Sequence, residues 1–509
     1  TNWKEYAPES LSFGKDGMSV KAKGKTPADG RLLMVTATDK NYELTTEITL
    51  GKGNTGGLLL FYDEKAYAGV ASDGKTFTIY RNGEKTETMP SDYHKHFHLR
   101  LLNRANRVTL SASKDGKSWK ELATDIDVSG LHHNNYGGFY ALRPALLSTG
   151  KGRTTFRNFT YRDATPQEKD MAAYLMVFHQ DEDHCLHAAI SRDGYTFTAL
   201  NDGKPIIAGD TIADQKGIRD PHIYRGPDGG FYLAMTDLHI YAQRDGYRDT
   251  EWERDGKTYG WGNNRGLVLM KSFDLIHWTR TNIRFDQMSK EFAQIGCAWA
   301  PETVYDPVTG RMMIYFTMRF GTEQNRLYYV YVNQDFNRIE SIPQILFEYP
   351  SGASAIDGDI TPIWNEERQK MEYHLFYVAH ESGSGIKQAV SDRIDGGYRF
   401  DPRWIDFEPV ACEAPNVWKR IGEDKWVLMY DIFGINPHNF GFVETSDFVH
   451  FKNLGRFNEG VMKTTNFRSP KHGAVIHLTQ EEADRLENYW NGKKPVSYTH
   501  LTLPTKLEV

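Results

Sequence analysis

The sequence predicts an all-β protein in two domains, a two-sheet sandwich followed by a five-bladed propeller. Three observations carry that prediction. A hairpin signature recurs five times between Asp193 and Asp447, alternating strands fill the first third of the chain, and a short charged, Pro-containing stretch separates the two patterns. The 509 residues exceed one ordinary domain. Hydrophobic residues make up 39%, enough for packed cores, and the 13% of aromatic residues suits both strands and sugar-stacking surfaces.

Residues 1–163 read as the sandwich. Tyr42–Leu50 and Phe97–Leu101 alternate apolar and polar side chains, the period of a strand with one buried face. Gly56–Val70 and Phe77–Tyr80 form a meander, with hairpin turns at Asp73-Gly74, Asn82-Gly83 and Asp115-Gly116. Residues 164–172 form the linker, and the propeller takes 173–494. Its signature places a small or polar residue before an Asp, a tight turn and an aromatic strand. The copies are Ser191–Phe197, Ser272–Trp278, Asn333–Ile339, Ser391–Tyr398 and Thr445–Phe451. Asp193, Asp274, Asp335, Asp395 and Asp447 lie roughly 50 to 80 residues apart, one blade with its loops. Ser113–Trp119 also fits the signature, which therefore marks a hairpin and does not by itself define a blade.

Four segments suit innermost blade strands because an aromatic-rich strand follows each. They are Arg219–Tyr224, Trp299–Val304, Ile356–Ile360 and Glu413–Trp418. Aligned on Pro221, Pro301, Gly358 and Pro415, they place Asp220 and Asp357 one residue before the alignment point. Glu413 falls two before it and Glu302 one after. Register matters, because a one-residue shift turns a side chain to the other face. Leu478–Trp490 closes the domain as a helix, with Thr479 as N-cap and Glu482 completing a capping box. Residues 495–509 bear no relation to what precedes them and read as a cloning or sequencing scar. The opening, without Met or signal peptide, reads as a piece of a longer protein.

Composition excludes several functions. The formal charge of -6 and the absence of a basic block argue against a nucleic-acid partner. No apolar run is long enough to span a membrane. Cys185, Cys297 and Cys412 are scattered and odd in number, which leaves neither a disulfide framework nor a CxxC metal site. His179–His187 has the composition of a metal cluster but lies between two strands, where a polar hairpin tip is the simpler reading.

The ordered set of Asp220-Pro221, Trp299-Ala300-Pro301, Ile356-Asp357 and Glu413-Ala414-Pro415 resembles the family 43 glycoside hydrolases over about residues 173–490. Those are five-bladed propellers that cleave arabinofuranosides and xylosides with inversion. Gly137–Leu146 and Phe156–Tyr161 make the front domain similar to the concanavalin-like jelly-roll sandwich that follows the catalytic domain in family 43 β-xylosidases. Its position in front implies a further catalytic domain upstream in the native protein.

The resemblance implies that Asp220 is the general base that activates water and Glu413 the general acid that protonates the leaving oxygen. Asp357 would orient Glu413 and favour its protonated form by like-charge repulsion. Asp359, two residues on, is the rival for that third place. Trp299, Glu302, Arg468 and Trp261 are candidate substrate contacts, Glu302 with a structural role as its alternative. Trp261 lies on the insertion Tyr241–Asn264, expected to form a rim loop. His472, in Lys471–Val475, resembles the family's late His-Gly, whose His helps hold a calcium ion in the central channel. No organic cofactor is expected. The implied activity is exo-acting removal of α-L-arabinofuranosyl groups from plant cell-wall arabinoxylan or arabinan, in a secreted or periplasmic setting. β-D-xylosidase is the close alternative, and a non-catalytic glycan-binding propeller the more distant one.

Overall fold

A computed structural model of the chain describes residues 7–492 apart from Asp16 and Ser382, so the segment read as a scar lies outside the described residues. The chain divides into two compact units, Thr1–Pro166 with Pro227–Gly229, and Gln167–Gly226 with Gly230–Val509.

In the first unit the alternating segments become two antiparallel sheets. One has seven strands, with Asn41–Leu50 between Arg153–Asp163 and His96–Arg104; the other has six, with Thr55–Asp63, Ala66–Ser72 and Thr76–Arg81 side by side. One hydrophobic cluster draws on both sheets: Leu44, Ile48, Phe97 and Leu99 from the first, Leu58, Leu60, Val70 and Ile79 from the second. Burial of these alternate side chains is what the period of two encodes.

Among its described residues the second unit holds five sheets in succession, antiparallel apart from the short parallel pair of Thr196–Ala199 with Lys463–Thr464. The strand at one edge of each is labelled here β1 (Ile218–Arg225), β2 (Ile295–Asp306), β3 (Ala355–Asn365), β4 (Glu413–Lys419) and β5 (Lys471–Thr479). β1 to β4 open the second to fifth sheets. β5 comes last in the chain yet pairs with Met171–His179, the first strand of the unit, so the first sheet is completed by both ends of the domain. The labelled strands touch in a closed circuit, β5 to β1, β2, β3, β4 and back to β5.

Each copy of the hairpin signature lies between the third and fourth strands of its sheet, counted from the labelled edge. The reason is turn chemistry. Asp193 Oδ1 accepts the N–H groups of Tyr195 and Thr196, and Asp274 Oδ1 those of Ile276 and His277. Asp447 Oδ1 does the same for Val449 and His450. Asp115, in the first unit, caps an identical turn, which is why the signature recurs outside the five sheets.

The closing helix is Gln480–Asn491. Thr479 and Glu482 form its capping box, Glu482 N–H donating to Thr479 Oγ1 at 3.2 Å and Thr479 N–H to Glu482 Oε2 at 2.8 Å. Packing carries the stability of the unit. Leu375, 0% exposed on the second strand of the fourth sheet, is a sensitive probe. Leu375→Ala is expected to cost about 2–5 kcal/mol through lost burial and the cavity left behind, read as a lower denaturation midpoint.

Candidate active site

All five labelled strands carry the same irregularity near one end. In β1, Arg219 faces Thr236 and His222 faces Ala234, so three steps on β1 match two on its neighbour. The same extra residue lies between Trp299 and Glu302 in β2 and between Ile356 and Asp359 in β3. It recurs between Glu413 and Asn416 in β4 and between Lys471 and Ala474 in β5. These are β-bulges, which re-aim side chains beside functional sites. Each contains Pro or Gly (Pro221, Pro301, Gly358, Pro415, Gly473), residues a sheet tolerates at a bulge. The residue before it is left-handed, with φ of 51° at Asp220, 47° at Ala300, 52° at Asp357, 55° at Ala414 and 44° at His472. None is glycine, so each position costs roughly 1–2 kcal/mol that its surroundings must offset.

A hydrogen bond from the left-handed residue's own N–H supplies that hold. Ala300 N–H donates to Thr236 Oγ1 at 2.8 Å, Asp357 N–H to Thr317 Oγ1 at 3.0 Å and His472 N–H to Asp431 Oδ2 at 3.2 Å. Asp220 N–H donates to His179 Nδ1 at 3.1 Å. Thr236, Thr317, Asp431 and His179 occupy one equivalent place, on the second strand of the preceding sheet opposite the first bulge residue. The fifth such place, in the fourth sheet, is Val378, whose side chain has no acceptor. There Asp357 takes over, its Oδ2 accepting Ala414 N–H at 3.2 Å. That bond turns the Asp357 carboxyl toward β4, beside Glu413. Val378→Thr would restore a competing acceptor. It is expected to lower kcat/KM by about tenfold, on the scale of one hydrogen bond, with the thermal midpoint little changed; steady-state kinetics beside a melting curve checks both.

The bulges sort the candidate residues into layers. Asp220, Asp357 and His472 share the left-handed layer. Asp220 Oδ1 lies 3.3 Å from His472 Nδ1, and Asp220 Oδ2 accepts from Thr236 Oγ1 at 2.6 Å. Burial works against the Asp220 charge, but His472 and then Arg219 outweigh it and hold the carboxyl far below the usual carboxylate range. Burial likewise opposes a charged His472; Asp220 foremost, then Asp357 and Glu413, raise it to about 9. Asp357 is raised to about 7 by burial, with Glu413 and Asp220 adding to it and His472 opposing.

Glu413, in the layer above, accepts from Lys471 Nζ at 3.0 Å; the same ammonium lies 3.4 Å from Asp431 Oδ2. Asp431 and Glu413 keep Lys471 charged despite its burial. Burial raises Asp431 to about 7 against the pull of Lys471. Successive residues of β5 thus hold the two principal carboxylates, Lys471 on Glu413 and His472 on Asp220.

Glu302 and Asp359 lie one layer deeper. Glu302 is 3% exposed and accepts from Tyr315 Oη at 2.8 Å; burial, then Asp359, push it well above the usual range. Buried there, it is held by Tyr315 on the neighbouring strand. Asp359 Oδ2 accepts from Asn416 Nδ2 at 2.9 Å and Val417 N–H at 2.8 Å, which ties it to the wall between β3 and β4. Asp357, and not Asp359, shares the layer of Asp220 and His472.

Trp299 is half-buried at the first bulge position of β2, its Nε1 donating to Gly262 O at 2.9 Å. Trp261 meets it edge-to-face at 5.8 Å and is 59% exposed. Arg468 is exposed before β5; among the described residues its guanidinium makes no hydrogen bond or ion pair with the carboxylates. Residues 180–185 are the turn between Met171–His179 and Leu186–Ser191, and Asp181 in it accepts from Arg219 Nη1 at 2.5 Å.

Sequence reasoning missed Lys471, Asp431, Asp181 and Arg219 as members of the site. One signal for Lys471 was present: extending the Pro alignment to Gly473 puts Lys471 in register with Glu413.

Among the described residues no group of three or more His, Cys, Asp or Glu side chains is arranged to hold a metal. His472 gives Nδ1 to Asp220 at 3.3 Å.

Acidic residues are brought together on bulged strands beside indole rings, which puts acid–base groups next to surfaces that suit a sugar. A family model of the family 43-related type, described as "Probable glycosyl hydrolase domain", matches residues 169–484, more than half of the chain. The chain belongs to that family. An α-L-arabinofuranosidase of Bifidobacterium longum subsp. longum is 28% identical over 193 residues, which is 36% of this chain and 16% of that protein. The chain thus matches under a fifth of that relative's length. An endo-arabinase of Bacteroides thetaiotaomicron aligns at 14% identity and a TM-score of 0.38, over 53% of this chain and 88% of that one. An exo-1,5-α-L-arabinanase from a bovine ruminal metagenomic library aligns at 14% and 0.37, over 55% and 93%.

Proposed function

We propose that the chain is an inverting exo-glycosidase that removes terminal α-L-arabinofuranosyl groups from arabinoxylan or arabinan fragments. Its five sheets act as the blades of a propeller, and the first unit is a jelly-roll sandwich. One observation carries the reading: β5 holds Asp220 and Glu413 on its two flanking strands, β1 and β4, through adjacent residues, with Asp357 tied to the backbone next to Glu413.

Inversion needs an ionised base and an acid on opposite faces of the sugar, roughly 6.5–9.5 Å apart so that a water fits between. Asp220 suits the base, since His472 and Arg219 keep it ionised. It takes a proton from water as the water oxygen bonds to the anomeric carbon. The bond from that carbon to the leaving oxygen breaks, and Glu413 gives its proton to that oxygen. Asp357 is a positioning residue. The relative's name supports an arabinofuranoside as substrate; the front domain's resemblance to family 43 β-xylosidases favours a β-D-xyloside instead. The setting proposed is secreted or periplasmic, on plant cell-wall polysaccharide.

Measuring kcat/KM on aryl α-L-arabinofuranoside and aryl β-D-xyloside decides between them. A large arabinoside preference is expected. A xyloside preference keeps the mechanism and changes the substrate, and no turnover of either points to a binding protein or to a substrate outside both pentoses.

A further inference from the structure

The second strand of each sheet ends at the level where the neighbouring labelled strand begins its bulge, so the loops that follow second strands surround the carboxylates. Four are short: residues 180–185, 321–325, 380–384 and 433–438. The fifth, residues 238–265, is several times longer and contains Trp252, Tyr259 and Trp261.

This insertion is strapped down. Arg254 N–H donates to Asn263 Oδ1 at 2.7 Å, and Asn263 Nδ2 returns to Arg254 O at 2.9 Å. Arg319, from the third sheet, donates to Tyr259 O at 3.0 Å and Trp261 O at 2.8 Å, with its guanidinium 4.7 Å from the Trp299 ring. Trp252 backs Trp261 at 5.3 Å and Trp299 meets it at 5.8 Å, yet Trp261 remains 59% exposed. The indole is thus fixed, braced on two sides and open on the rest, and offers a preformed apolar face. Its continuity with Trp299, which directly precedes the left-handed Ala300, places it at the mouth of the carboxylate site. A sugar ring has the matching chemistry, with C–H groups for the indole face and hydroxyls left to solvent.

Resting on the glycosidase reading, we propose that Trp261, braced by Trp252 and Trp299, is a stacking platform for a second sugar unit beyond the one removed. The substrate is then an oligo- or polysaccharide recognised over at least two sugars. The rigid bracing lowers the ordering cost of binding.

The test compares kcat/KM on an arabinose-substituted xylo-oligosaccharide with that on the aryl glycoside, in wild type, Trp261→Ala and Trp261→Tyr. The ratio of the two is expected to fall about tenfold in Trp261→Ala, the usual scale for truncating an aromatic anchor, and to recover largely in Trp261→Tyr. An unchanged ratio overturns the platform. Affinity electrophoresis in arabinoxylan, on Glu413→Gln and on Glu413→Gln with Trp261→Ala, reads the platform without turnover. Retention lost with Trp261 supports it even if no pentoside is hydrolysed. Retention unaffected by Trp261, or no retention at all, overturns it.

Discussion

Glu413→Ala is expected to lower kcat on an arabinofuranosyl oligosaccharide by about 10²–10⁴-fold, the usual worth of a positioned acid. The loss should depend on the leaving group. A dinitrophenyl glycoside expels a stable phenolate and needs no proton, so its hydrolysis should fall far less. An alkoxide from a second sugar cannot leave unaided. Parallel kinetics on the two substrates checks this, and an equal loss on both would remove Glu413 from the proton-transfer step. Lys471 Nζ donates to Glu413 at 3.0 Å, and Asp357 Oδ2 accepts the N–H of the residue that follows it.

Asp220→Ala is the second large effect, again about 10²–10⁴-fold in kcat, now irrespective of the leaving group. Water loses its base, while Glu413 and its surroundings stay in place. Azide is nucleophilic without deprotonation and fits the volume the carboxylate vacates. It should restore turnover and yield a glycosyl azide of inverted configuration, identified by mass and by NMR. Activity within about twofold of wild type without azide would dismiss Asp220 as the base.

Much of this was legible because it is local. The hairpin signature reads an Asp side chain that caps its own turn, as Asp193, Asp274 and Asp447 do. The capping box at Thr479 and Glu482 is likewise a contact between residues three apart. The Pro alignment of the inner strands worked because Pro and Gly mark the bulges, and the bulges place Asp220 and Asp357 in one layer.

What escaped the sequence depends on contacts distant in the chain. Left-handed Ala300 and Ala414 have no local signal, since their conformations are held by Thr236 and Asp357. Lys471 reaches Glu413 only because the last strand of the unit joins the first sheet beside Met171–His179. Asp431 has no local signal either, because only its pairing with Glu413 places it beside Lys471. Glu302 drew notice by type, but its position after the bulge sends it to the buried layer.

The central claim is that Asp220 and Glu413 work from opposite faces of one glycosidic bond. Proton NMR of the first sugar released from an α-L-arabinofuranoside tests it most directly, recorded before mutarotation scrambles the anomers. The arrangement predicts β-L-arabinofuranose as the initial product, with the α anomer appearing only later. An initial α anomer would mean a retaining path through a covalent intermediate and would contradict the roles given to both residues.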